Sequence, residues 1–249
     1  MVYNSMGNIN AQMCKLDITG NNVVNANTAG YKRQSVDFID FLNQKVLQDD
    51  EAVRDSRGRG TVTALTDRRL DQGIINYTGR QLDLGIAGKG FFQVTREDGA
   101  VFYTRDGSFH IDNQGRIINQ QGFVLIDEEL PENYDDIVID EKGNISCTDE
   151  DGNKIEIGQI EMAVFPNPTL LDAVGDNLYT AGELIEDPQL SVPGEDGAGI
   201  IRQGHLENSN VDLVMEMKNM IEAQRSIQFD GKIIQTADYL WNSANNLQK

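Results

Sequence analysis

The chain has 249 residues, a formal net charge of −19, 39% hydrophobic residues and a single tryptophan. That length holds one sizeable domain or two small ones, and no apolar run approaches the roughly 18 residues of a membrane span. So acidic a surface repels the phosphates of nucleic acid and anionic membrane, which argues against a nucleic-acid partner or membrane insertion.

The charge is unevenly placed. Residues 81–205 carry 25 acidic and seven basic side chains, whereas residues 1–34 carry one and three, and residues 206–249 six and four. The near-neutral ends therefore stand out as packing surfaces. The opening MVYNSMGNIN lacks the basic start and apolar core of a cleavable secretion signal. The expectation is a cytoplasmic protein, or one exported by a route that reads no such signal.

Val2, Met6, Ile9, Met13, Leu16 and Val23 recur at coiled-coil spacings and predict a helix over residues 1–23. Its apolar stripe is narrow and rich in methionine, so the helix needs a partner. The stripe runs into LDITGNNVVNANTAGYKR at 16–33, where Asn21, Asn22, Asn25 and Asn27 crowd together. Asparagine competes with the helix through local side-chain bonds and tolerates left-handed backbone, so the run marks a helix end or a docking surface. Val36, Phe38, Ile39, Phe41, Leu42, Val46 and Leu47 either extend a helix or form a short apolar hook. DDEAVRDSRGRG at 49–60 reads as a loop. β-branched TVTAL, from Thr61, begins the strands.

From about Leu82 to Ile201 the runs FFQV, VFYT, SFHI, RIIN, FVLI, IVI and KIEI have strand length and composition. Turn signals separate them. Gly99, Gly107, Gly115 and Gly122 recur at intervals of seven or eight, each shortly after Asp, Asn or Gln, and EKG and EDG follow at 141–143 and 150–152. Such spacing indicates hairpins of an all-β domain. After an acidic loop at 183–200, Asn210 or Asp212 can cap a second helix. Leu213, Met217, Met220, Ile227, Ile234 and Trp241 form its stripe, interrupted by Gln224, Gly231 and Asp238. About 36 helical residues would run roughly 54 Å.

The fold class expected is α+β, with long N- and C-terminal helices pairing as a coiled-coil-like hairpin around an all-β centre. The domains expected are 1–34 with 206–249, a connecting segment at 35–80, and the β domain at 81–205.

Chemical motifs fail one by one. Gly85-Ile-Ala-Gly-Lys-Gly lacks the gap and the hydroxyl residue of a phosphate loop, and TDEDGNKIE at 148–156 misses the calcium-loop register. No Gly-x-Ser-x-Gly or His-Glu-x-x-His occurs. Cys14 and Cys147 lack ligand spacing, and His110 and His205 stand alone. No catalytic residue, cofactor or metal is expected. From the residues alone, the rival to a structural protein is a secreted β-rich binding module or cell-wall glycan hydrolase dimerised by its terminal helices.

Asn21, Asn22, Asn25, Thr28, Gly30, Tyr31 and Lys32 fit the pattern N-N-x-A-N-x-x-T-x-G-[FY]-K, with Val24 in place of alanine. This resembles the N-terminal signature of the bacterial flagellar rod and hook proteins, most like the rod proteins. Further strings in the same order resemble that family: Tyr77-Thr, GKGFFQV at 88–94, YTRDGSF at 103–109, IGQIEMAVFPNP at 157–168 and GDNLYTA at 175–181. QGHLENSNVDLVMEM at 203–217, MIEAQR at 220–225 and K-x-I-Q-T-x-D from Lys232 complete the likeness, with departures at Ile227 and at Asp230-Gly231. The resemblance implies a non-enzymatic subunit of the flagellar basal body, outside the cytoplasmic membrane, that self-assembles into a helical, torque-transmitting tube. Its implied partners are further copies of itself, adjacent rod and hook proteins, and the flagellar export apparatus. The assembly interface expected comprises Met6, Ile9, Met13, Leu16, Asn21, Asn22, Asn25, Thr28, Gly30, Tyr31, Lys32, Leu213, Met217, Met220, Ile227 and Ile234, with Tyr31, Lys32 and Arg33 as a hinge.

Overall fold

The structure, a computed structural model, describes residues 2–40, 61–126, 128, 130–131, 136–149, 154–182 and 188–246. It divides into two compact units. One holds Met1–Val24, Gln34–Arg69 and Val211–Lys249, the other Asn25–Arg33 and Leu70–Asn210. The connecting segment expected at 35–80 is thus shared between them, and residues 25–33 group with the β unit.

In the helical unit, α1 (Val2–Val24) packs against α2 (Leu213–Asn246). Asp212 starts α2: its Oδ1 accepts the N–H groups of Val214 at 2.9 Å and Met215 at 3.1 Å, two of the donors left orphaned by the first turn. The buried seam is small and polar. It includes Ala11, Ile18, Thr19 and Asn22 on α1, and Glu216, Ala223 and Asp230, seven residues apart, on α2. Asn8 Nδ2 donates to Asp230 Oδ2 at 2.6 Å, joining the helices by a charge-assisted bond. At about 100° per residue, Ile9, Met13 and Leu16 lie across α1 from Ala11 and Ile18. A Cβ at Gly231 would meet nothing within 4 Å, so no close approach explains that glycine.

The segment after Arg33 forms a strand, neither a helix extension nor a hook. β1 (Gln34–Asp40) pairs antiparallel with β2 (Thr61–Arg68), with a bulge between Val36 and Asp37. Ser35-Val-Asp-Phe alternates polar and apolar with the period of two that a strand requires. Asn22 begins the strand from the helix side: its amide donates to Gln34 O at 2.8 Å and accepts from Gln34 N at 3.0 Å. A two-stranded ribbon is marginal alone, and this one packs on α1. The rest of the expected hook and the loop at 49–60 lie outside the described residues.

The β unit contains β3 (Ile75–Tyr77), β4 (Leu84–Ala87), β5 (Phe91–Thr95), β6 (Val101–Thr104), β7 (His110–Ile111), β8 (Ile117–Ile118), β9 (Val124–Ile126), β10 (Asp136–Ile139), β11 (Asn144–Thr148) and β12 (Lys154–Gln159). There follow β13 (Met162–Val164), β14 (Asp172–Gly175), β15 (Leu178–Thr180), β16 (Gln189–Ser191), β17 (Ile200–Gln203) and β18 (His205–Glu207). The main sheet runs β14-β15-β6-β5-β9-β8-β7, with β13 and then β16 joined to β5. β10-β11-β12 form a second sheet, and the pairs β17-β4 and β18-β3 bring the last strands onto the first. Neighbouring Phe91 and Phe92 point to opposite faces of β5 and feed two cores. Phe92 meets Phe109 edge-on in the larger, whereas Phe91 meets Phe165 and Tyr179 edge-on in the smaller.

Among the described residues, three hairpins share one turn chemistry and a fourth shares only their positive-φ glycine. At 112–116, 119–123 and 140–144 the first residue is Asp or Asn, whose Oδ1 accepts the N–H groups two and four residues on. The glycine in the fourth place of each adopts positive φ, as a three-residue loop with a glycine bulge demands. The fourth hairpin, at 96–100, has Arg at the first position and uses Asp98 instead. Gly107 differs. It is a close-approach glycine, because a Cβ there would lie 1.7 Å from Leu84 O. Gly152 falls outside the described residues.

The turn carboxylates make the hairpins acid-sensitive. Asp112 is held below the ordinary carboxylate value chiefly by the N–H of Arg116. Burial pushes Asp140 up, but the side chain and N–H of Asn144 and the N–H of Lys142 outweigh it. Asp98 is held at about 2, first by the side chain of Arg96. A carboxyl with a lowered folded-state pKa contributes stability that is complete above its unfolded value and lost as pH falls through the folded one. Titration from pH 4 towards 2 is therefore expected to lower the protection of the Arg116 and Asn144 amides relative to their intrinsic exchange rates at each pH, measured by NMR. Unchanged protection at pH 2 would contradict this.

Candidate functional site

Two regions concentrate unusual chemistry, one in each unit. In the β unit, Glu207 has no side-chain exposure yet carries a charge. Lys32, 2% exposed, reaches its Oε1 at 2.6 Å, and Arg105, 6% exposed, reaches its Oε2 at 3.2 Å. Gly73 N–H also donates to Oε1, at 2.7 Å. The Glu207 main-chain oxygen accepts the Gly30 N–H at 2.8 Å. Lys32 donates further to Asp71 O at 2.9 Å, and Arg105 to Gly88 O at 2.9 Å while its guanidinium lies over the Phe91 ring. Burial pushes both cations below their ordinary pKa, and Glu207 opposes that shift in each case. Two buried cations thus depend on one carboxylate. Breaking such a group by removing one partner leaves uncompensated charge in a low-dielectric interior.

The backbone is shaped to allow this. Thr28 N–H donates to Asn25 O at 3.1 Å, and Thr28 Oγ1 to Asn25 Oδ1 at 3.2 Å, closing a turn. Gly30 follows with φ +67°, and Asn177 Nδ2 fixes Ala29 O at 2.9 Å. Arg33 N–H donates to Asn210 Oδ1 at 2.7 Å, and Asn210 Nδ2 donates to Asp71 O. Asn210, one of the two candidate helix caps, works here instead.

In the helical unit the site is a surface. Val214, Met217 and Ile221 are exposed on one side of α2, and Phe229, Ile233 and Leu240 on another. Trp241 is 75% exposed. So much apolar area on one helix exceeds the scattered hydrophobes normal for a monomer surface. On α1, Met13 is exposed, and Ile9 and Leu16 are half-buried. None of these described helices is long and apolar enough to cross a membrane.

The residues singled out in the sequence therefore separate into groups. Gly30, Tyr31 and Lys32 are buried in the β unit, with Asn25 and Thr28 in the turn before them. Asn22 is buried in the helical unit against Gln34, and Asn21 is exposed. Leu213 and Met217 are exposed; Met220, Ile227 and Ile234 are half-buried. The side chain of Met6 lies outside the described residues. Sequence reasoning missed Glu207, Arg105 and Asp230, although HLE and YTRDG each place a charge at the end of a strand-like run.

Three family profiles match the chain: "Flagella basal body rod protein" at residues 3–32, "Flagellar hook protein FlgE/F/G D1 domain" at 85–147, and "Flagellar basal body rod FlgEFG protein C-terminal" at 202–247. The flagellar basal-body rod protein FlgG of Borreliella burgdorferi is 37% identical, across 100% of this chain and 98% of its own length. The chain belongs to the flagellar basal-body rod family. FlgG of Bacillus subtilis is 33% identical over the same shares, and the flagellar hook-basal body complex protein FlhP of that organism is 27% identical over 96% of each. Family membership makes this chain a structural rod protein and not an enzyme. The N-terminal rod profile runs from α1 to Lys32 itself, and the C-terminal profile takes in Glu207 and all of α2.

Proposed function

We propose that the terminal helices are the assembly element, and that many copies pack through them into a helical tube that transmits torque. The exposed apolar residues of α2 carry this reading, since area left in water within one subunit is area available to bury between subunits. Ile9, Met13 and Leu16 of α1, with Leu213, Met217, Met220, Ile227 and Ile234 of α2, supply the apolar contacts. Asn21 and its neighbours contribute polar ones. Residues 25–33 link the helical unit to the β unit, and Tyr31, Lys32 and Arg33 set the direction of the chain there. A coiled-coil-like pairing of α1 and α2 is supported by the seven-residue recurrence of Glu216, Ala223 and Asp230 and of Ala11 and Ile18. The acidic β unit keeps free subunits soluble. The subunit reaches the basal body outside the cytoplasmic membrane through the flagellar export apparatus, and meets adjacent rod and hook proteins there.

Sedimentation and electron microscopy of the full chain beside its Ile221→Glu, Leu240→Glu double variant test this. The parent is expected to form rods or large oligomers, and the variant to stay monomeric with its helical circular dichroism retained. Equal assembly by both would sink the reading.

A further inference from the structure

Three segments distant in sequence converge on residues 205–210. Residues 28–33 arrive through Gly30 N–H on Glu207 O at 2.8 Å, Lys32 Nζ on Glu207 Oε1 at 2.6 Å, and Arg33 N–H on Asn210 Oδ1 at 2.7 Å. Residues 71–77 arrive through Gly73 N–H on Glu207 Oε1, Asn208 N–H on Ile74 O at 2.9 Å, and the three residue pairs of β3 with β18. Arg105 arrives from the main sheet. We infer that Glu207 is a shared latch: residues 28–33 and 205–210, from opposite ends of the chain, are held or released in one step, while the hairpin sheet stays folded.

The charges enforce the coupling. If the Glu207 carboxylate leaves, Lys32 faces Arg105 with no buried counter-charge, and it must follow its own segment into water. Arg105 can stay, because Gly88 O and the Phe91 ring hold it from within the sheet. Once Lys32 departs, the Gly30 and Arg33 bonds to the same stretch go with it. The hairpins at 112–116, 119–123 and 140–144 are closed by their own turn residues and use nothing from this cluster. Opening is therefore a sub-global event of the kind that native-state hydrogen exchange resolves. Such opening is a property of the folded subunit alone and needs no assembly.

The test is amide exchange of the full chain, read by NMR or mass spectrometry. In the parent, the amides of Gly30, Arg33, Gly73 and Asn208 are expected to exchange through one common opening. Glu207→Gln preserves shape and an acceptor oxygen but removes the charge. It is expected to accelerate all four amides by a shared factor of about a hundred or more, with Arg116, Phe123 and Asn144 unchanged. Lys32→Met leaves Arg105 and Glu207 as a neutral pair and is expected to accelerate the same four by a smaller shared factor. It also decides the matter if Glu207→Gln does not fold. Unequal acceleration of the four amides in either variant would overturn the latch. So would loss of hairpin protection alongside them in Lys32→Met, because the opening would then be global.

Discussion

Gly30→Ala is expected to lower the stability of the β unit by about 3 kcal/mol or more. Two costs combine. Gly30 has φ +67°, where an alanine is strained by about 1–2 kcal/mol. Its new Cβ would also lie 2.5 Å from Asp106 N and 2.7 Å from Arg105 C. Those are backbone atoms, so no side chain can rotate aside, and overpacking of this sort costs about 1–3 kcal/mol. The displaced backbone belongs to Arg105, whose guanidinium must still meet Glu207. Denaturant unfolding followed by NMR of the hairpin amides measures the change. A midpoint equal to that of the parent would show that the turn and the Arg105–Asp106 backbone are not in firm contact.

Phe92→Ala is expected to be of similar size, about 3–5 kcal/mol. Phe92 is wholly buried, and its ring stands edge-on to Phe109 with centroids 5.3 Å apart. It lies in the larger core among Leu84, Val94 and Met162, side chains from three different strands, so the void cannot collapse by one local movement. Phe102 offers the comparison. It is half-buried and stacked on Phe123 at the same strand pair, where water can replace much of what is lost. The same unfolding experiment is expected to rank Phe92→Ala well above Phe102→Ala, and the opposite ranking would place the centre of the core elsewhere.

What the sequence reveals depends on whether the cause of a feature is local. The hairpins at 112–116 and 140–144 were legible because one Asp and one Gly, three residues apart, determine the turn by themselves. Asp212 was legible as a cap for the same reason. Gly107 has the same spacing as its turn neighbours but exists for Leu84, in a strand 23 residues earlier, and nothing nearby announces that. The heptad stripe of α1 identified apolar residues but not which face is buried within the chain. Ala11, Ile18 and Asn22 occupy the buried seam, since periodicity describes a face and is silent about its partner. Glu207 was illegible altogether. A carboxylate at a strand end reads as solvated unless Lys32, 175 positions away, is known to be beside it.

The bond between Asn8 and Asp230 has a consequence for length. Two helices joined by a greasy seam can slide past one another by a heptad, trading one set of contacts for an equivalent one. A hydrogen-bonded pair set in an otherwise small, tight seam has no equivalent, because moving either helix by seven residues puts different side chains opposite both groups. The helical unit is thereby a gauge of fixed measure. Within the subunit, the exposed faces of α1 and α2 are therefore held at one separation along the helix axis, whatever they go on to meet.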